Sequence, residues 1–158
     1  MTTTTATASR RHVSPVELVL RVLAVAGLTI SAYIHLHLAH YYASNGATIS
    51  EGTLFRAQGI VALVVAAVLL VTGWRWAWLA AGAVGLASLA AVLTSRYTSL
   101  GAVGPVPDMH EPTWPPSPDK LTSAVAEAAV VVLVLVWAAV VARGRSDSSA
   151  QPVFSSSP

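Results

Sequence analysis

Cysteine is absent from this chain of 158 residues. Disulfides, thiolate metal sites and cysteine nucleophiles are therefore excluded. Charge is nearly as scarce. Asp, Glu, Lys and Arg together make up 10% of the residues, against roughly 25% in an ordinary soluble domain. The net charge of +2 is small and scattered, so nucleic acid is not an expected partner. The familiar signatures of catalysis are missing too. There is no nucleophile elbow, no phosphate-cradling glycine loop and no pair of carboxylates within an apolar run. An enzyme is the weakest of the functional classes, and no catalytic residue is assigned.

What the chain has is apolar length. Hydrophobic residues are 54% of the total, and they gather into four runs at about 17–41, 54–73, 76–95 and 121–142. A helix needs about 20 apolar residues to cross a bilayer core. All four qualify, and none has an interior proline. The alternative is a soluble bundle, whose helices would need polar outer faces. The second, third and fourth runs have almost none. The expected fold is all-α, a polytopic four-helix membrane bundle over residues 15–143, with the lipid bilayer as its surroundings and the cell membrane as its location.

Orientation follows from Lys and Arg. With both termini cytoplasmic, Arg10, Arg11, Arg21, Arg75, Arg143 and Arg145 lie inside, and Arg56, Arg96 and Lys120 outside. Trp74, Trp76 and Trp78 around Arg75 suit an interfacial aromatic belt. The first run is too long for a cleaved signal peptide and has no small-residue cleavage site after it. Residues 1–14 and 144–158 are polar and of low complexity, and read as disordered cytoplasmic tails. The segment 97–120 holds six of the nine prolines. It can be neither helix nor central strand, and is expected to form an extended extracytoplasmic cap between the third and fourth helices. Within it, the Asp108–Glu111 group reads as solvated loop.

The stretch SAYIHLHLAHYY, residues 31–42, holds three of the five histidines. His37 and His40 are three apart and share a helical face, while His35 points about 140–160° away from them. Small residues mark close helix contacts in membranes. Ala24, Leu28, Ser31, Ala32, His35 and Ala39 fall on one side of the first helix, so His35 is expected inside the bundle. His37 and His40 lean to a flank beside Tyr33, which can stack on His37. On the third helix Ala81, Gly85, Ser88, Val92 and Ser95 form a similar face. Arg56 and Gln58 begin the second helix, and Glu127 lies about two turns into the fourth. Under this topology these polar groups gather in the outer half, and polar groups inside a membrane usually face an interior or a cavity. Either a Glu127–Arg56 pair or a His35–Glu127 hydrogen bond would join the helices.

Three functions fit. One is a ligand site of His35, Arg56, Gln58 and Glu127 opening outward for a small polar or quinone-like molecule or a metal ion. Histidine with carboxylate suits a transition metal, with His35, His37, His40 and Glu127 as the candidate ligands. A second is a haem site with His35 or His37 as an axial ligand, although the other three helices offer no second histidine. A third is a structural role, as a homo-oligomer or as an accessory subunit of a larger membrane complex.

The pattern AYIHLHLAHYY, then ISEGTLFRAQGIVALVVAAVLL, then AVAEAAVVVLVL resembles a group of small four-helix membrane proteins common in actinobacteria. That group's motifs correspond here to His35-Leu36, to Leu54-Phe55 with Gln58, and to Glu127, within residues 17–142. The resemblance implies the four-span fold and no particular chemistry. The size also resembles the DoxX-like superfamily.

Overall fold

The computed structural model describes residues 14–44, 48–99, 101–111 and 118–149. Four helices form: α1 Pro15–Leu38, α2 Glu51–Thr72, α3 Arg75–Tyr97 and α4 Asp119–Ser149. All four are long and apolar enough to cross a membrane.

Local chemistry sets the boundaries. The N–H of Glu17 donates to Ser14 Oγ at 3.1 Å, and Pro15 occupies the first helical position of α1, where its missing N–H costs nothing. Ser50 caps α2 in the same way through Thr53 N–H. Gly73 ends α2 in the left-handed region at φ 57°, which a residue with a Cβ rarely adopts. α1 stops at Leu38 rather than running to 41. The chain must turn there to cross α2: a Cβ on Gly52 would lie 2.4 Å from the Ala39 carbonyl oxygen. His40 therefore stands beyond the helix. α4 extends past 142 through Ser149, so 144–149 is helix where a tail is expected. The rest of that tail, and residues 1–13, lie outside the described residues.

The helices form a ring. α1 packs on α2 and α4, α3 packs on the same two, α1 meets α3 only slightly, and among the described residues the backbones of α2 and α4 do not come close. Alanine makes up much of the interior, beside larger side chains such as Leu28, Leu69, Trp78 and Val130. Ala24, Ala32, Ala62, Ala66 and Ala81 are buried, while Val64, Leu70, Val71, Leu86 and Leu135 face outward. Small inside and large apolar outside is the reverse of a water-soluble bundle, and it suits helices packed closely within lipid. Gly27 of α1 and Gly85 of α3 both press against Val130 of α4.

Trp78 departs from the expected aromatic belt. Trp74 and Trp76 are exposed, but Trp78 is 0% exposed and stacks on Trp137, with ring centroids 5.0 Å apart. It sits on the same face as Ala81 and Gly85, three and seven residues on, so the helical period carries it inward. Arg21 closes this end of the bundle. It pairs with Glu17 at 3.2 Å, and its guanidinium lies over Gly73, where a Cβ would come within 1.9 Å of a terminal nitrogen.

Residues 101–111 fold back over the opposite end. Val103 and Val106 exchange backbone hydrogen bonds around Gly104, the Ile49 N–H donates to the Pro105 carbonyl, and the Glu111 N–H donates to the Ser95 carbonyl. The segment thus caps the end where α1 and α3 finish and α2 and α4 begin.

Candidate functional site

Two short repeats of sequence build the site. Ser31 and His35 are four apart on α1, and Ser123 and Glu127 are four apart on α4, so each pair lies on one helical face. The α1–α4 contact brings the faces together. Ser31 Oγ and Ser123 Oγ both donate to Glu127 Oε1 at 2.9 Å. His35 Nε2 stands 3.9 Å from the same oxygen, beyond hydrogen-bonding distance. Glu127 is 1% exposed and His35 8%.

Hydrogen-bond roles here follow from the partners. His35 Nδ1 lies 2.8 Å from the Ser31 carbonyl oxygen. A carbonyl can only accept, so Nδ1 carries the proton. The Ser31 hydroxyl spends its hydrogen on Glu127. In the neutral ring Nε2 is then a bare acceptor, and no hydrogen bond reaches it. Glu127 Oε2 is buried and also has no partner. The cluster is thus short of donors.

His35 and Ser123 form part of the wall of a cavity of about 500 Å³ under the cap, and Glu127 stands behind them. The wall is largely apolar and aromatic. Phe55 meets His35 edge to face at 5.6 Å, and Tyr42 meets Phe55 at 5.2 Å. Ile34, Leu38, Val92 and Met109 complete the apolar surface. Glu51, Glu111, Asp119 and Lys120 are the charged wall residues. Lys120 Nζ donates to Glu111 Oε2 at 2.9 Å. Tyr42, in the turn after α1, has its phenol pKa raised, first by burial and then by the negative charges of Glu111 and Glu51 and a hydrogen bond to Glu111.

The expected site residues divide. His35 faces the interior and approaches Glu127 to 3.9 Å, short of the expected hydrogen bond, and the bond that joins α1 to α4 is Ser31–Glu127. Arg56 does not join them. The inward face of α2 runs Gly52, Phe55, Gly59, Ala62, Ala66, Leu69, and Arg56 is a step off that face and exposed. Gln58 is turned to α3, where its amide donates to Ser88 Oγ. Neither is in the cavity wall. The metal set does not converge. His37 is exposed, stacked on Tyr33 and edge-on to Tyr41, and it lines the cavity with His35. His40 is exposed beyond the helix end. Among the described residues no group of three or more His, Asp or Glu side chains is placed to hold a metal ion. Nor is a second buried histidine present among them to complete a bis-histidine haem site. The Asp108–Glu111 group is only half solvated. Asp108 and His110 are exposed, whereas Met109 and Glu111 line the cavity. Ser123, Phe55 and Tyr42 were not marked by composition. The Ser-x-x-x-Glu spacing before the apolar run of α4 is the signal that points to Ser123.

Compared with protein-family models, curated proteins and solved structures, the chain gives no match.

Proposed function

We propose that the chain is a multi-pass membrane protein, with both termini cytoplasmic, that binds a small and partly apolar organic ligand in an outward-opening cavity. The observation that carries this reading is the cavity of about 500 Å³ with His35 in its wall and buried Glu127 behind it. That volume falls within the range of small-molecule sites, as does an apolar wall with a few convergent polar groups. The Lys and Arg distribution supports an orientation with this end outside. The kinship with small actinobacterial four-helix membrane proteins belongs to the same proposal, on His35-Leu36, Leu54-Phe55, Gln58 and Glu127.

The test is a thermal-unfolding screen of small molecules on detergent-extracted protein, run beside Ala91→Trp, which puts an indole into the cavity wall. Binding compounds are expected to stabilise the wild type and not the variant. At a ligand concentration near 100 times Kd, the gain is about 2.7 kcal/mol. Equal shifts in both proteins, or no shift with any compound, would reject the reading. Reporter fusions at each end test the topology.

A further inference from the structure

The proposal above leaves the ligand's class and its route open, and the exposed part of the cavity wall narrows both. We infer that the cavity opens sideways into the outer leaflet through a window between α2 and α3, and that its ligand is a long-chain amphiphile with a hydroxyl head, taken from the lipid. This rests on the reading of the cavity as a ligand site in a membrane-spanning bundle.

Ala91 marks the window. Gly82, Gly85, Ser88 and Ala91 stand three apart on α3, and each step turns about 60° around the helix axis. A Cβ on Gly82 would meet Val134 and one on Gly85 would meet Val130, so both face α4. Ser88 is the next step round and accepts from the Gln58 amide of α2. Ala91 is one step further, past the α2 contact. It is exposed, and it also lines the cavity. A residue that belongs to both surfaces marks where the cavity meets the outside of the bundle.

Depth decides what lies outside. α3 has 23 residues, so it is about 35 Å long against about 30 Å of bilayer hydrocarbon. Ala91 stands six residues before Tyr97, about 9 Å from the helix end. The window therefore faces acyl chains and not water. Its floor is the Gln58–Ser88 hydrogen bond. Phe55, half-buried and in the cavity wall, stands on the α2 side. The roof is the cap, held to the Ser95 carbonyl by the Glu111 N–H.

The wall is graded along the same depth. Tyr42, Glu51, Glu111, Asp119 and Lys120 lie at helix ends, in the turn or in the cap. Ile34, Phe55, Ala91 and Val92 lie a turn or more deeper. A polar rim over an apolar pocket with a side exit matches a polar head joined to an apolar chain. The head sits beneath the cap, and the chain leaves between Phe55 and Ala91. The rim holds both phenols that donate, on Tyr41 and Tyr42, and carboxylates that accept. A hydroxyl serves in either role.

Photolabelling in phosphatidylcholine nanodiscs tests this. The probe is a long-chain alcohol with a diazirine at mid-chain, and peptide mass spectrometry locates the label. Wild type is compared with Ala91→Trp, which fills the window, and with Leu86→Trp, which puts an indole on the lipid face of α3 outside the wall. In the wild type the peptides holding Phe55 and Ala91 should be labelled, and that label should fall about tenfold under a roughly tenfold excess of unlabelled alcohol, by mass action. Ala91→Trp should lose the displaceable label and Leu86→Trp should keep it. A diazirine alkane of the same length should label these peptides several-fold less, and equal labelling would overturn the hydroxyl head. Label that no competitor displaces, or displaceable label at Phe55 that survives Ala91→Trp, would overturn the window. If that happens while water-soluble compounds still stabilise the wild type and not Ala91→Trp, the cavity reading survives alone. Should Ala91→Trp not fold, the wild-type map decides: displaceable label at Phe55 and Ala91 supports the inference, and its absence there overturns it.

Discussion

A single methyl group at Gly27 should part the two halves of the site. A Cβ there would lie 2.7 Å from Val130 Cγ2 and 3.3 Å from the Ala126 carbonyl oxygen. Val130 is fully buried and β-branched, so it has little freedom to rotate away. Carbon atoms settle at about 3.5–4.0 Å, so α1 and α4 must separate by roughly 0.8 Å or more. Ser31 lies one turn along α1 from Gly27, and Glu127 lies between Ala126 and Val130 in sequence. The Ser31–Glu127 bond, now 2.9 Å, would stretch past the hydrogen-bonding limit of about 3.2–3.5 Å. Overpacking of this kind costs about 1–3 kcal/mol, and an interhelical hydrogen bond in a membrane about 0.6 kcal/mol. The better helix propensity of alanine returns up to about 1 kcal/mol. Gly27→Ala is therefore expected to lose about 1–2 kcal/mol of stability. Gly144→Ala is the control: a Cβ there meets nothing within 4 Å, so it should be neutral or stabilising. Reversible unfolding in detergent, monitored by circular dichroism, compares the two. If Gly27→Ala is as stable as Gly144→Ala, the close approach at Gly27 does not set the α1–α4 spacing, and the account of the site built on it fails.

Gly73→Ala should cost about 1–2 kcal/mol for its left-handed backbone alone, and more because it displaces the Arg21 guanidinium. Adding Arg21→Ala should recover only the steric part, and full recovery in an unfolding titration would contradict the φ argument. Tyr42 should ionise above the usual value of 10.0. The folded state holds that proton more tightly than the unfolded chain, so the stabilisation is complete below about pH 10 and is lost as pH rises through the folded value. An absorbance titration of wild type against Tyr42→Phe checks it, and a difference component for Tyr42 with its midpoint at or below 10.0 would refute it. In single-tryptophan variants, an aqueous quencher should reach Trp74 and Trp76 but not Trp78. Glu127→Leu should leave stability within about 1 kcal/mol of wild type or raise it, because apolar replacement of a buried polar network is often neutral or stabilising. A loss above about 3 kcal/mol would show that the carboxylate holds the helices together.

Much of α1 was legible in the sequence because its small residues share one face. Ala24, Leu28, Ser31, Ala32, His35 and Ala39 are all buried, and Tyr33 stacks on His37 at the flank. The small-residue face of α3 is buried through Ala81, Gly85 and Ser88 in the same way. Rotation was harder to read where apolar residues surround the helix. α2 has no polar face to set its angle, so Arg56 was placed by its depth and not by the Gly52–Phe55–Gly59 face that turns it outward. Trp78 was placed by its position in the chain, next to Arg75, although one more turn of helix takes it into the core. Proximity in sequence put His37 and His40 near His35, while the helical period turns His35 inward and leaves His37 and His40 exposed, both against the Tyr41 ring.

The two ends of the bundle are built on opposite principles. At one end every space is filled. Trp78 lies on Trp137, Arg21 covers Gly73, and Gly27 and Gly85 close on Val130. At the other end the chain inserts a cap, aromatic rings and four charged side chains around a space that apolar side chains could have filled. A helix pair that needed only to cohere would gain nothing from an acceptor such as Glu127 Oε2 left unpaired in the interior, which costs about 1–3 kcal/mol. Its position beside His35, just behind the cavity wall, is what supports the proposed ligand site. A packing defect needs no neighbouring cavity, whereas here the unpaired Glu127 Oε2, the His35 ring and the cavity meet at the same end of the bundle.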